Sequence, residues 1–160
     1  MSADGKNIRK VVIGVIGASH PSPAGYRLAV EVGRLIARHG AVLVCGGLGG
    51  IMEGACRGCR EEGGEAVGIL PGGEAREANP YVSLAIPTNM GHARNVIIAH
   101  TAGALIAVEG EYGTLSEMAV AVKLGRAVIS LGAWEGLPGV IYVKDAETAV
   151  RKALAITGSE

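Results

Sequence analysis

Cys45-Gly46-Gly47-Leu48-Gly49-Gly50-Ile51-Met52 and Val108-Glu109-Gly110-Glu111-Tyr112-Gly113-Thr114-Leu115-Ser116-Glu117 are two glycine-rich turns, each set between an apolar run and a helical pattern. Glycine lets the backbone turn sharply and lets a ligand reach its N–H groups with no side chain in the way. The helix that follows adds unpaired N–H donors and the positive end of its dipole. Tight strand-to-helix packing alone explains one such turn. Two of them, both at strand C-termini of one short chain, point to a single anion-binding crevice built from both.

The surrounding sequence supplies the strands and helices that this reading needs. Residues 11–17 (VVIGVIG) form a continuous β-branched run, as expected for a strand buried on both faces. After a turn at residues 21–25, Leu28, Val32, Leu35 and Ile36 recur at helical spacing, and Gly40 is a fitting stop for a helix over 26–39. Strands follow at 41–45, 66–70, 82–86, 104–108 and 127–131, with an edge strand at 140–143. Helices are expected over 51–62, 91–101, 115–124 and 146–156. Strands alternating with helices imply a parallel sheet covered on both sides. The fold class is therefore α/β: one Rossmann-like, doubly wound domain over residues 1–160, with six or seven strands and residues 1–9 disordered.

Composition narrows the function. The 160 residues are 49% hydrophobic and 19% charged, which suits a chain with its own core. Only 3% are aromatic and none is Phe, so Val, Ile, Leu and Ala must build that core. Lys plus Arg equal Asp plus Glu at 15 each, leaving no basic excess for a nucleic-acid partner. No apolar run reaches membrane-spanning length, and residues 1–10 lack the apolar stretch of a secretory signal. A cytoplasmic location is expected, and three cysteines without a disulfide pattern agree with it.

In such a sheet ligands sit outside the strand C-termini where the strand order reverses. The segments expected there are Gly17-Ala18-Ser19, the turn with Gly46, Gly47, Gly49, Gly50, Ile51 and Met52, then Thr88 and Asn89, then Arg94 and Asn95, and finally Gly110, Glu111, Tyr112, Gly113, Thr114 and Glu117. Backbone amides of residues 49–52 and 113–115 can donate to phosphate oxygens, with the Ser19 and Thr114 hydroxyls beside them. Thr114 is equally suited to capping its helix. Arg94 can grip a phosphate with two parallel hydrogen bonds, or pair on the surface with a carboxylate. Glu117, in the first turn of the helix expected at 115, suits the dipole there in any protein. Tyr112 suits either stacking on a planar base or covering an apolar patch. His92 lies near the crevice. Cys56 and Cys59 form C-x-x-C inside a helix and, with Cys45, read as small packing residues. No metal ligand set is assigned.

The stretch Met90-Gly91-His92-Ala93-Arg94-Asn95, followed by a buried strand and Gly110-x-x-Gly113-Thr114-x-x-Glu117, resembles the LOG-like ("possible lysine decarboxylase") superfamily. That family's hallmark is Pro-Gly-Gly-x-Gly-Thr-x-x-Glu, preceded by an Arg-Lys pair. The first turn resembles its Gly-Gly-Gly-x-x-Gly-Leu-Met loop. The resemblance implies a nucleoside 5′-monophosphate phosphoribohydrolase releasing free base and ribose 5-phosphate, with Arg94 and Glu117 as the essential pair. The chain departs from the pattern at Glu109 (for Pro), Glu111 (for Gly) and Asn95 (for Lys). A carboxylate about 5 Å from a phosphate, at an effective dielectric near 20, costs on the order of 3 kcal/mol, about a hundredfold in affinity. The short chain and altered turn look more like the small DprA/Smf-related branch, which includes molybdenum cofactor carrier proteins that bind a phosphorylated pterin. The favoured reading is a binding or carrier protein for a phosphate-bearing small molecule, a nucleotide or a molybdopterin-type cofactor, with no further cofactor required. By the same resemblance the chain assembles as a homodimer or homotetramer.

Overall fold

The apolar runs become the strands of one seven-stranded sheet in which every neighbouring pair is parallel. In the computed structural model, which describes residues 9–158, the order is β1 (Val12–Gly17), α1 (Pro23–Arg38), β2 (Val42–Cys45), α2 (Ile51–Glu61), β3 (Ala66–Leu70), β4 (Leu84–Pro87), α3 (Arg94–Thr101), β5 (Ala104–Val108), α4 (Tyr112–Lys123), β6 (Ala127–Leu131), β7 (Val140–Tyr142) and α5 (Ala146–Thr157). Residues 1–8 of the segment expected to be disordered lie outside the described residues. Arg9 is exposed and outside any element.

The strands lie in the order β4-β3-β2-β1-β5-β6-β7. The chain winds outward from β1 to β4, returns to place β5 beside β1, and winds the other way. The order reverses between β1 and β5, whose C-terminal residues Gly17 and Val108 stand in register. This is the α/β, Rossmann-like, doubly wound class expected from the alternating pattern.

Side chains alternate across the sheet and divide the core in two. Ile13, Val15 and Leu43 pack with Val32, Ala55 and Ala149 of α1, α2 and α5. Ile16, Val44 and Leu105 pack with Ile98 and Met118 of α3 and α4. No aromatic residue belongs to the buried core. Its small side chains permit close layers: a Cβ on Gly33 of α1 would lie 1.9 Å from the Ala55 carbonyl oxygen, and one on Gly58 of α2 1.9 Å from that of Val30. The α1 and α2 backbones therefore touch at two mutually placed glycines, and a methyl at either would drive them apart. Among the described residues no helix is long and apolar enough to cross a membrane.

Four boundaries differ from expectation by two residues or more. Helix α1 starts at Pro23 because Ser22 caps it, its hydroxyl accepting from the Gly25 N–H at 3.0 Å. The pattern over 91–101 opens as a 3-10 turn, Gly91–Ala93, before α3. Strand β4 begins two residues late, since the Val82 N–H closes a turn onto the Asn79 carbonyl. It can include Pro87 because it is an edge strand. Helix α4 begins at Tyr112, three residues early: Gly110, at φ 125°, completes the turn in one step, so the helix starts before its first apolar residue.

Candidate functional site

Outside the C-terminal ends of β1 and β5 lies a cavity of about 360 Å³. Its floor is Gly46, the first residue after β2, where a Cβ would stand 2.8 Å from Arg94 Nη2 and 2.9 Å from Met52 Sδ. Only a bare backbone fits between these two side chains. Its walls come from Gly17, Ala18 and Ser19 after β1, Met52 of α2, Arg94 and Asn95 of α3, and Glu111, Tyr112, Gly113, Thr114 and Glu117 around the start of α4. Twelve sequence-derived candidates, counting Gly46, thus surround one space.

The other candidates, Gly49 apart, hold the loops in place. Gly47 packs under Leu70 at φ 77°. Gly50, at φ 71°, brings the first glycine-rich turn against the Ala18 and Ser19 carbonyls, and the Ile51 N–H donates to Ala18 O at 2.9 Å. That amide is therefore committed within the protein, and the Ile51 side chain is fully buried against Gly17. Gly49 is exposed. The Thr88 hydroxyl donates to Leu70 O at 2.7 Å, and Asn89 turns the chain at φ 53° with its N–H on Gly72 O. Gly110 sits beneath Thr114. These seven residues do not line the cavity. His20, Leu48 and His92 do. For His20 the only signal was its place just after the first crevice segment.

Arg94 is only 6% exposed and forms no salt bridge among the described residues, so it is not a surface arginine paired with a carboxylate. Its Nε donates to the Ile69 carbonyl at 3.0 Å and its Nη1 to Asn95 Oδ1 at 2.5 Å. Nη2 is left beside Gly46. Asn95, which departs from the family's lysine, orients the guanidinium. Burial lowers the Arg94 pKa, and the charges of Glu117 and Cys45 work against that.

Glu117 does not sit in the first turn, because α4 begins at Tyr112. Dipole stabilisation of a first-turn acid therefore does not apply. Instead burial pushes its carboxyl up to about 7, against the opposing pull of Arg94. Thr114 does not cap the helix either: the cap residue is Glu111, and Thr114 is 4% exposed in the first turn, bordering the cavity.

The added acids differ in effect. The Glu109 carboxylate turns away from the cavity to Ser22, accepting from its N–H at 3.0 Å and from its hydroxyl at 2.5 Å. It ties the β5–α4 turn to the start of α1 and brings no charge to the cavity wall. The backbone there is at φ 52°. Glu111 does border the cavity. The loop over 73–80 contributes no lining residue, and Asn79 fastens it to the first turn through bonds to Gly47 O (2.8 Å) and Leu48 O (2.9 Å).

The three cysteines are buried and free. The close pair is Cys45 and Cys56, with sulfurs 3.5 Å apart, and not the C-x-x-C pair. The Cys59 thiol donates to Glu65 O, and burial pushes its pKa up to about 12.

A parallel sheet with this strand order, and a cavity walled by glycine turns where the order reverses, defines a Rossmann-like protein. The model of the SLOG cluster4 family matches residues 10–157, and the chain belongs to that family, in agreement with its resemblance to the LOG-like and molybdenum cofactor carrier branch. It is 46% identical over 143 residues to an uncharacterised protein of Archaeoglobus fulgidus, covering 89% of this chain and 94% of the relative. Among solved structures it is similar to the molybdenum cofactor binding protein of Rippkaea orientalis, with TM-score 0.88 and 33% identity over 94% of this chain and 99% of that one. It is also similar to the molybdenum cofactor carrier protein of Chlamydomonas reinhardtii, with TM-score 0.86 and 30% identity over 95% and 100% of the two chains.

Proposed function

We propose that the chain binds and carries a phosphate-bearing small molecule, a molybdopterin-type cofactor or a nucleotide, in the cavity at the strand-order reversal. The carrying observation is Arg94: a buried guanidinium, aimed by Ile69 and Asn95, with one nitrogen left beside a glycine floor. A buried cation that forms no salt bridge among the described residues is costly, and a phosphate would offset that cost. The names and likeness of the solved neighbours support a cofactor of the molybdenum type. The cavity volume lies in the range of small-molecule sites. The donors present suit a phosphate, with Arg94 holding it and Gly113 and Thr114 closing over it from the start of α4.

Mass spectrometry of small molecules released from the purified protein is the direct test. A phosphorylated pterin or nucleotide is expected in the extract, and the emptied protein is expected to gain thermal stability on adding it, with no turnover. Release of free base from nucleoside monophosphates would overturn the carrier reading in favour of the phosphoribohydrolase. That second reading rests on Glu117, whose pKa of about 7 beside Arg94 suits a general acid or base. We also infer a homodimer or homotetramer. Val96 of α3 and Leu124 after α4 are exposed, and an apolar groove runs between Leu115, Met118 and Val122 of α4 and Leu137 and Val140. A monomer by sedimentation at micromolar concentration would refute this.

A further inference from the structure

The chain contains one Trp and four Tyr residues and no Phe. None of them is fully buried, and Tyr81 and Trp134 only pack against the edges of the core. Two of the five nevertheless stand together beside the cavity. Tyr112, first residue of α4, borders it and is 78% exposed. Its ring centroid lies 5.5 Å from that of Trp134, with the planes inclined by 45°. An aromatic side chain so exposed covers no apolar patch, and its large surface stays in water.

The pair is held in place. Trp134 Nε1 donates to the Glu111 carbonyl at 2.9 Å, fastening the indole to the turn that opens α4. The Tyr142 hydroxyl donates to the Trp134 carbonyl and accepts from the Leu137 N–H at 3.0 Å. Trp134 itself adopts φ 39°, a left-handed conformation that bulky residues rarely take and that persists only where surrounding contacts enforce it. Thus a strained backbone supports an indole, which supports an exposed phenol ring at the cavity wall.

Resting on the phosphate-binding reading above, we propose that Tyr112, braced by Trp134, is a stacking platform for a planar heteroaromatic ring carried by the phosphorylated ligand. The ring lies on Tyr112 while the phosphate is held by Arg94 and the glycine walls. Exposed tyrosine is well suited to this, since its face accepts any flat ring and its two side-chain torsions lose little freedom on binding. Recognition by stacking tolerates different rings, so a purine and a pterin are both accommodated.

Trp134, the single tryptophan, reports directly on this site. The emptied full-length protein is titrated with ribose 5-phosphate, AMP, GMP and neopterin monophosphate, following tryptophan fluorescence and calorimetric affinity in parallel. The ring-bearing compounds are expected to bind at least tenfold more tightly than ribose 5-phosphate and to change the Trp134 emission. Tyr112→Ala is expected to lose about tenfold or more for the ring-bearing compounds, with ribose 5-phosphate unchanged, and Tyr112→Phe to restore binding. Equal affinity for ribose 5-phosphate and all three ring-bearing compounds, or equal losses for both in Tyr112→Ala, overturns the platform and leaves the phosphate site standing. If none of the four compounds binds, both proposals fall.

Discussion

Replacing Arg94 with Ala is expected to weaken binding of a phosphate monoester such as GMP by about a hundredfold or more, measured by calorimetry. Charge-assisted hydrogen bonds contribute about 1.5–3 kcal/mol each, and a phosphate facing this guanidinium would lose at least one together with the charge itself. The loss corresponds to about 3 kcal/mol. Arg94→Lys separates charge from shape. Lysine keeps the cation but cannot reach Ile69 O and Asn95 Oδ1 while presenting a further planar donor to the ligand. About a tenfold loss is expected for it. Wild-type affinity in Arg94→Ala, with the variant folded by circular dichroism, would place the phosphate elsewhere. The substitution also removes the cation that lowers the Glu117 pKa, so that group should titrate still higher in the variant.

The sheet was legible because each strand is an apolar run long enough to fix its own identity. Residues 66–70, 104–108 and 127–131 become strands with the expected bounds. The meeting of residues from β1, β2, α3 and α4 at one cavity followed from a rule about strand order, which needs no side-chain detail. What could not be read was direction. Sequence counts Glu109 and Glu111 alike as acids in a glycine turn, yet Ser22, 87 positions earlier than Glu109, draws one away and leaves the other at the wall. Nor does periodicity show where α4 begins. Its first three residues, Tyr112, Gly113 and Thr114, include no aliphatic residue to mark them as helical. That shift of one turn moved Thr114 out of the cap position and Glu117 out of the reach of the dipole. The aromatic content, a statement about the core in the sequence, has a second meaning in the structure, where the exposed Tyr112 meets Trp134 at the core's edge.

Glu117→Gln is expected to stabilise the ligand-free protein at pH 8 and to leave it unchanged at pH 4. The folded chain holds the Glu117 proton up to about pH 7, whereas an unfolded chain releases it near 4.5. Between those values the folded state binds more protons, so stability falls as pH rises through the window, and the full penalty is present above it. A shift of that size corresponds to about 3 kcal/mol. Because the carboxyl is half-buried beside a cavity open at its mouth, about 2 kcal/mol is the expected gain, or about 6 °C in Tm. Wild-type and variant melting curves that run parallel from pH 4 to 8 would contradict the assignment. The same proton should couple to the ligand. A phosphate beside Glu117 disfavours its ionised form, so binding near pH 8 takes up a proton, which calorimetry in buffers of different ionisation enthalpy measures. Glu117→Gln should abolish that uptake while binding at least as tightly. A hydrolase would instead lose turnover in this variant, so one substitution separates a carrier that tolerates its carboxylate from an enzyme that needs it.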